Sequence, residues 1–185
     1  TLLHWDHPEH GVVAHEDCIV LAEQTGLVLS IGRWMVRQAC EQLRSWRDQL
    51  GAAVPPVRVD LTTYLTQDPD LVAVVRDALT ATQLRPEDIQ LGMPVEVIVA
   101  GHGDSVDNVG TLADIGVRTV LTKYGQAVGN LALMESVPVH GVELTGRLVH
   151  MAAQPGSVMR SALVGLVPLL RHMGITVVVA GLDDA

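Results

Sequence analysis

The densest chemical signal lies near the start of the chain, where His4, His7, His10 and His15 stand with Asp6 and Glu9 among them. Imidazoles and carboxylates at such density are what a transition metal would need. Their intervals fall in a loop-like stretch and fix no tetrahedral geometry, so a polar surface loop is the simpler reading. Gly101-His102-Gly103-Asp104 brings two glycines close together but lacks the remaining spacing of a P-loop or a dinucleotide fingerprint; a turn with Asp104 capping the next helix accounts for it. Ser30, Ser45, Ser105 and Ser157 lack the His and Asp partners of a nucleophilic triad and read as caps and surface hydroxyls. Cys18 and Cys40 show no metal spacing and read as buried reduced thiols.

Chemistry elsewhere depends on the elements that would position it. Short β-branched runs predict strands over Val57–Leu61, Ile89–Met93, Arg118–Thr122, Val139–Leu144 and Thr176–Ala180. Helical patterns fill the intervals. Leu27–Leu50 is the clearest, with Leu29, Met35, Val36, Cys40, Leu43 and Trp46 tracing a stripe, followed by Asp70–Thr82, Asp104–Ile115 and Val158–Met173. Ser157 is placed to cap the last of these, Pro168 inside it predicts a kink, and Gly116 and Gly174 stand where helix C-caps belong. Strands alternating with helices imply βα units and a parallel sheet, which a doubly wound sheet and a (β/α) barrel satisfy equally. Both folds bind ligands at the carboxyl ends of their strands. The positions to inspect are therefore Asp60, Met93–Glu96, Thr122–Gly125, Glu143–Thr145 and Ala180–Asp183.

The 185 residues suffice for one domain with a real core, and no linker or repeat divides them. Aromatic residues are 3% with no Phe, so Val, Leu, Ile and Ala must do the packing. A formal charge of −9 argues against broad electrostatic binding of nucleic acid, though a locally basic pocket stays compatible with it. The run Ile175–Ala180 is too short to span a bilayer, and no charged-then-apolar segment marks a signal peptide among the first residues given. A cytoplasmic location is the default expectation, and a membrane-tethered parent protein would leave the same domain sequence.

A family resemblance emerges from motifs in order. Leu2-Leu3-His4-Trp5-Asp6-His7-Pro8-Glu9-His10-Gly11 resembles the Leu-Leu-Arg-Trp…His-Pro…Gly stretch of EAL domains. Ile19-Val20-Leu21-Ala22-Glu23-Gln24-Thr25-Gly26-Leu27 and Ile31-Gly32-Arg33-Trp34 are similar to the two segments that follow it. Val59-Asp60-Leu61-Thr62, Ile115-Gly116-Val117-Arg118, Pro138–Leu144 and Gly174–Gly181 continue the series at the family's intervals. The resemblance implies an EAL-type, TIM-like (β/α) barrel, partial or open over these residues: a single EAL domain, residues 1–185, truncated at both ends relative to the family. The family's signature Glu would precede Thr1.

EAL enzymes hydrolyse cyclic di-GMP with paired divalent ions, Mg²⁺ or Mn²⁺, held by hard oxygen ligands. Carried over position by position, the family's Asn ligand falls on Asp60, its Glu-x-x-Glu on Gly92 and Val95, and its Asp-Asp on Thr122 and Lys123. Its Lys falls on Glu143, the following Asp on Thr145 and the last Glu on Ala180. One carboxylate cannot hold two divalent ions, and Lys123 would repel them. The resemblance therefore predicts a degenerate domain that is not an enzyme and has no metal cofactor. The leading expectation is a non-catalytic regulatory or protein-interaction domain of a cyclic di-GMP signalling protein, with an unidentified protein partner. The alternative is a cyclic di-GMP receptor, with His4, Asp60 and Glu143 as ligand-binding candidates, although His4 and Glu143 replace cationic groups. A residual phosphodiesterase ranks last. Two further expectations are an ion pair between Lys123 and Glu143 on adjacent strands, and an inherited homodimer contact around Thr122–Met134, where Tyr124–Gly129 replaces the family's Phe-Gly-Thr-Gly-Tyr-Ser loop.

Overall fold

Every β-branched run singled out above forms a strand. A computed structural model of the chain describes residues 1–51, 53–101, 104–124 and 137–181. The strands of the main sheet are β3 (Val57–Asp60), β4 (Ile89–Pro94), β5 (Arg118–Tyr124), β6 (Gly141–Thr145) and β7 (Thr176–Ala180). They pair in parallel in sequence order, β3-β4-β5-β6-β7. A doubly wound sheet reverses its strand order at a switch point. This one does not, and the sheet is a half-barrel, which decides between the two architectures that periodicity leaves open.

An antiparallel hairpin of β1 (Trp5–His7) and β2 (Gly11–Val13) precedes the sheet, followed by α1 (His15–Thr25) and α2 (Val28–Leu50). The histidine-rich stretch is this hairpin rather than a plain loop. The connecting helices are α3 (Thr63–Thr66), α4 (Leu71–Thr82), α5 (Val95–Ala100), α6 (Ser105–Asp114), α7 (Gly146–Ala153) and α8 (Val158–His172), with a 3₁₀ turn at Pro86–Asp88.

The core lies between the sheet and these helices. The stripe on α2 buries Val36, Cys40 and Leu43 against Leu71, Val75 and Leu79 of α4, over Leu91 and Ile89 of β4. Trp46, assigned to that stripe, sits at its rim and is exposed. The cap assignments divide. Ser157 accepts from the Met159 N–H at 3.2 Å, and Gly116 and Gly174 take positive φ just past α6 and α8. Asp104 occupies the N-cap position of α6, but its side chain makes no capping bond. Pro168 lies inside α8, which continues to His172.

Candidate functional site

The strand ends converge on a cavity of about 390 Å³. Asp60, Leu61 and Thr62 enter it from the end of β3, Pro94 from β4, Thr122 and Lys123 from β5 and Glu143 from β6. Helix α1 borders it with His15, Glu16, Ile19, Val20 and Glu23. The parallel register explains the convergence: Asp60 lies opposite Gly92, and Pro94 opposite Thr122, so successive strands end at one level.

The two strand carboxylates of the mouth are paired by Arg58, which sequence reasoning missed and which lies below them, lining a separate cavity with Gln90, Arg118 and His140. Arg58 and Asp60 are two residues apart on β3 and therefore share a face. The Arg58 Nη2 lies 2.5 Å from Glu143 Oε2, and its Nε lies 3.0 Å from Asp60 Oδ1. These two carboxylate oxygens sit at ion-pair distance but off the N–H directions, whereas Nη2 also donates an aligned bond to Asp60 Oδ2 at 3.2 Å. Burial works against the Arg58 charge, but Asp60 and Glu143 outweigh it and its pKa is raised. The pairing expected between Lys123 and Glu143 is thus corrected: Glu143 is buried against Arg58, and Lys123 is exposed. The cause is local backbone. The β5–β6 register slips between Leu121 and Tyr124, and Lys123 adopts φ 58°, so its side chain leaves the run of the strand.

The remaining family positions divide. Gly92 is buried, and a Cβ there would overlap Asp60 Oδ1, so the carboxylate occupies the room the glycine leaves. Thr122 is buried at the mouth. Thr145 and Ala180 pair across β6 and β7 and are half-buried. Val95 belongs to the hydrophobic core instead. His4 is separated from Asp60 and Glu143: it lines an apolar groove of about 480 Å³ with Leu3, Trp5 and Trp34. The neighbouring histidines are occupied by backbone. His7 Nδ1 accepts from the Glu9 and His10 N–H groups at 3.1 and 3.2 Å, and His15 Nδ1 accepts from the Leu3 N–H at 3.1 Å, which ties the hairpin to α1. Ala180 is described, but Leu182 and Asp183 lie outside the described residues, as do His102, Gly103 and most of the region around Thr122–Met134, including Gly125–Gly129.

This donor set does not fit the paired divalent ions that the resemblance implies. Of the four carboxylates lining the cavity, Asp60 and Glu143 are engaged by one guanidinium, and Glu16 and Glu23 come from α1 rather than from the inherited strand positions. The other inherited positions offer a glycine, an aliphatic core residue, hydroxyls and an exposed ammonium.

The family profile described as the EAL domain matches residues 1–185. An uncharacterized signaling protein of Caulobacter vibrioides is 26% identical over 186 residues, covering 99% of this chain. The bifunctional diguanylate cyclase/cyclic di-GMP phosphodiesterase MucR of Pseudomonas aeruginosa is 27% identical over 184 residues, again 99% of this chain. The chain spans only 22% and 26% of the lengths of these two relatives. The solved structure described as the PaMucR phosphodiesterase in complex with c-di-GMP matches with a TM-score of 0.88 at 27% identity, over 99% of this chain and 73% of that one. These findings overturn the expectation that the chain is not an enzyme. The family takes in its whole length, and a relative alike in sequence and fold is named a phosphodiesterase. The expectation counted inherited positions one by one, and substitutions at those positions do not of themselves establish a loss of activity. On the whole-length profile and the shared half-barrel, this chain belongs to the EAL domain family.

Proposed function

We propose that this domain binds cyclic di-GMP in the cavity at the carboxyl ends of its strands, as a regulatory part of a longer signalling protein. The observation that carries the reading is the likeness to MucR, whose solved structure, at a TM-score of 0.88, is described as a c-di-GMP complex. The cavity lining carries four carboxylates, Glu16, Glu23, Asp60 and Glu143, so a dianionic ligand would be met by the cations beside them. Arg58 and Lys123 offset Asp60 and Glu143, and Lys123 presents an exposed ammonium with no ion pair among the described residues. Thr62, Thr63 and Thr122 line the same cavity and supply hydroxyls for hydrogen bonds.

Calorimetric titration of cyclic di-GMP into the longest soluble form of the protein, in Mg²⁺ and in EDTA, tests this reading. We expect a dissociation constant in the range of about 1–10 µM, or roughly −7 to −8 kcal/mol. Reversing the rim charge with Lys123→Glu should weaken it about tenfold. Absence of heat from a demonstrably folded sample would overturn the proposal.

One observation favours a second reading, the docking of a protein partner. Trp5 and Trp34 are 46% and 47% exposed beside Leu21 and Leu27 at the apolar groove of the hairpin and first two helices. A partner that co-purifies in fixed ratio and is lost on Trp34→Ala would support it.

A further inference from the structure

The Arg58 cluster is unusual in what it joins. Asp60 ends β3 and Glu143 lies on β6, with β4 and β5 between them in the sheet. One guanidinium reaches both carboxylates across the concave face, at 3.0 Å and 2.5 Å. The arrangement has a built floor: a Cβ at position 92 would collide with the Asp60 carboxylate and lie close to the Thr122 methyl, so glycine there is what lets Asp60 lie inward. Glu143 is buried and Arg58 is half-buried. Two carboxylates at one site attract a cation, which a divalent ion can supply, and because position 143 corresponds to a Lys in the family this pair is not one of the family's own ion sites. Here the cation is part of the chain.

We propose that Arg58 is a tethered cation that fills the position between Asp60 and Glu143 and keeps a divalent ion from binding there. A planar guanidinium with several N–H groups can face two carboxylates at once and keeps its charge at all working pH values. A Mg²⁺ ion would need the same oxygens at about 2.0–2.1 Å and would have to displace a positive group already seated among them. The pair is thereby held in position without an ion, and its charge is compensated whether or not a nucleotide is bound. This inference does not depend on the nature of the ligand at the mouth.

Counting bound Mn²⁺ by electron paramagnetic resonance on the full protein tests it, with Mn²⁺ alone as the probe. Wild type and Glu143→Gln should bind the same number of ions, because neither holds one at this pair. Arg58→Ala should gain one Mn²⁺, with a dissociation constant on the order of 0.1–1 mM, and the double variant Arg58→Ala/Glu143→Gln should lose it again. Arg58→Lys, which keeps a tethered charge, should not gain it. If Arg58→Ala fails to fold without metal, Arg58→Gln replaces it. The comparison of wild type with Glu143→Gln then decides independently: an unchanged count upholds the proposal, and loss of a bound ion overturns it. A folded Arg58→Ala protein that gains no Mn²⁺ also overturns it. Because no nucleotide is present, failure here is distinct from failure of the cyclic di-GMP titration.

Discussion

Lys123 shows how one residue can separate a family position from its inherited chemistry. It stands where a metal-ligating Asp is expected, yet its backbone is in the left-handed region at the register slip on β5. A side chain with a Cβ pays roughly 1–2 kcal/mol for that conformation, and glycine does not, although glycine gives back about 0.5–1 kcal/mol through the entropy of the unfolded chain. Lys123→Gly should therefore raise stability by up to about 1 kcal/mol, seen in urea unfolding as a higher midpoint with an unchanged slope. Destabilisation by that much would mean that the lysine side chain has a partner in the folded protein. The contrast with Arg58 is one of direction: a residue inside the regular part of a strand alternates predictably, whereas a residue at a slip does not.

At the scale of elements, the joint between α2 and β4 is held by one buried carboxylate. Asp88 ends the 3₁₀ turn before β4 and is paired by Arg47 from the last turn of α2, with Arg47 Nη2 2.7 Å from Asp88 Oδ1. The Arg85 N–H donates to Asp88 Oδ2 at 2.9 Å. Burial pushes the Asp88 carboxyl up, but the bonds from Arg47 and Arg85 together outweigh it and hold the pKa below its ordinary value. Because the folded value lies below the unfolded one, near about 3.9, the contribution is fully present above that pH and disappears as pH falls through the folded value. Asp88→Asn should cost about 3 kcal/mol at neutral pH, since Arg47 is left without its partner. The gap to wild type should close in acid, and a gap independent of pH would refute the assignment. Elements with long periodic faces were legible in the sequence: α2 and all of the sheet strands fall within a few residues of their expected limits. Others were not, for physical reasons. The strands of the hairpin are too short to show a period, and α1 buries only Cys18 and Ala22. Helix α5 is built from Val95-Glu96-Val97-Ile98-Val99-Ala100, β-branched residues that packing makes helical after Pro94. The site was legible as positions on strands, including Asp60 and Glu143, but not as a network. Which interior charges meet depends on the curvature of the sheet and on the missing Cβ at Gly92.

Across the whole molecule, the sheet order of a half-barrel leaves one helix poorly covered. Helix α8 buries only Leu170 fully, and Val158 and Val164 are 83% and 69% exposed, with Leu169 and Met173 also open. Two of the relatives that match are about four times as long as this chain. Exposed apolar side chains in water associate with apolar surface they meet. The 185 residues produced alone should therefore self-associate as concentration rises through about 10 µM to 1 mM, read by light scattering after size exclusion. The variant Val158→Glu/Val164→Lys places charge on the exposed face, with the acid in the first turn where the helix dipole favours it. It should be monomeric over the same range, and its unfolding free energy should lie within about 0.5 kcal/mol of the parent, because neither side chain is packed. A parent chain that stays monomeric throughout would show that this face is adequately satisfied by water and has no cover to lose. Association that persists in the double variant would move the contact to the apolar groove beside Trp5 and Trp34.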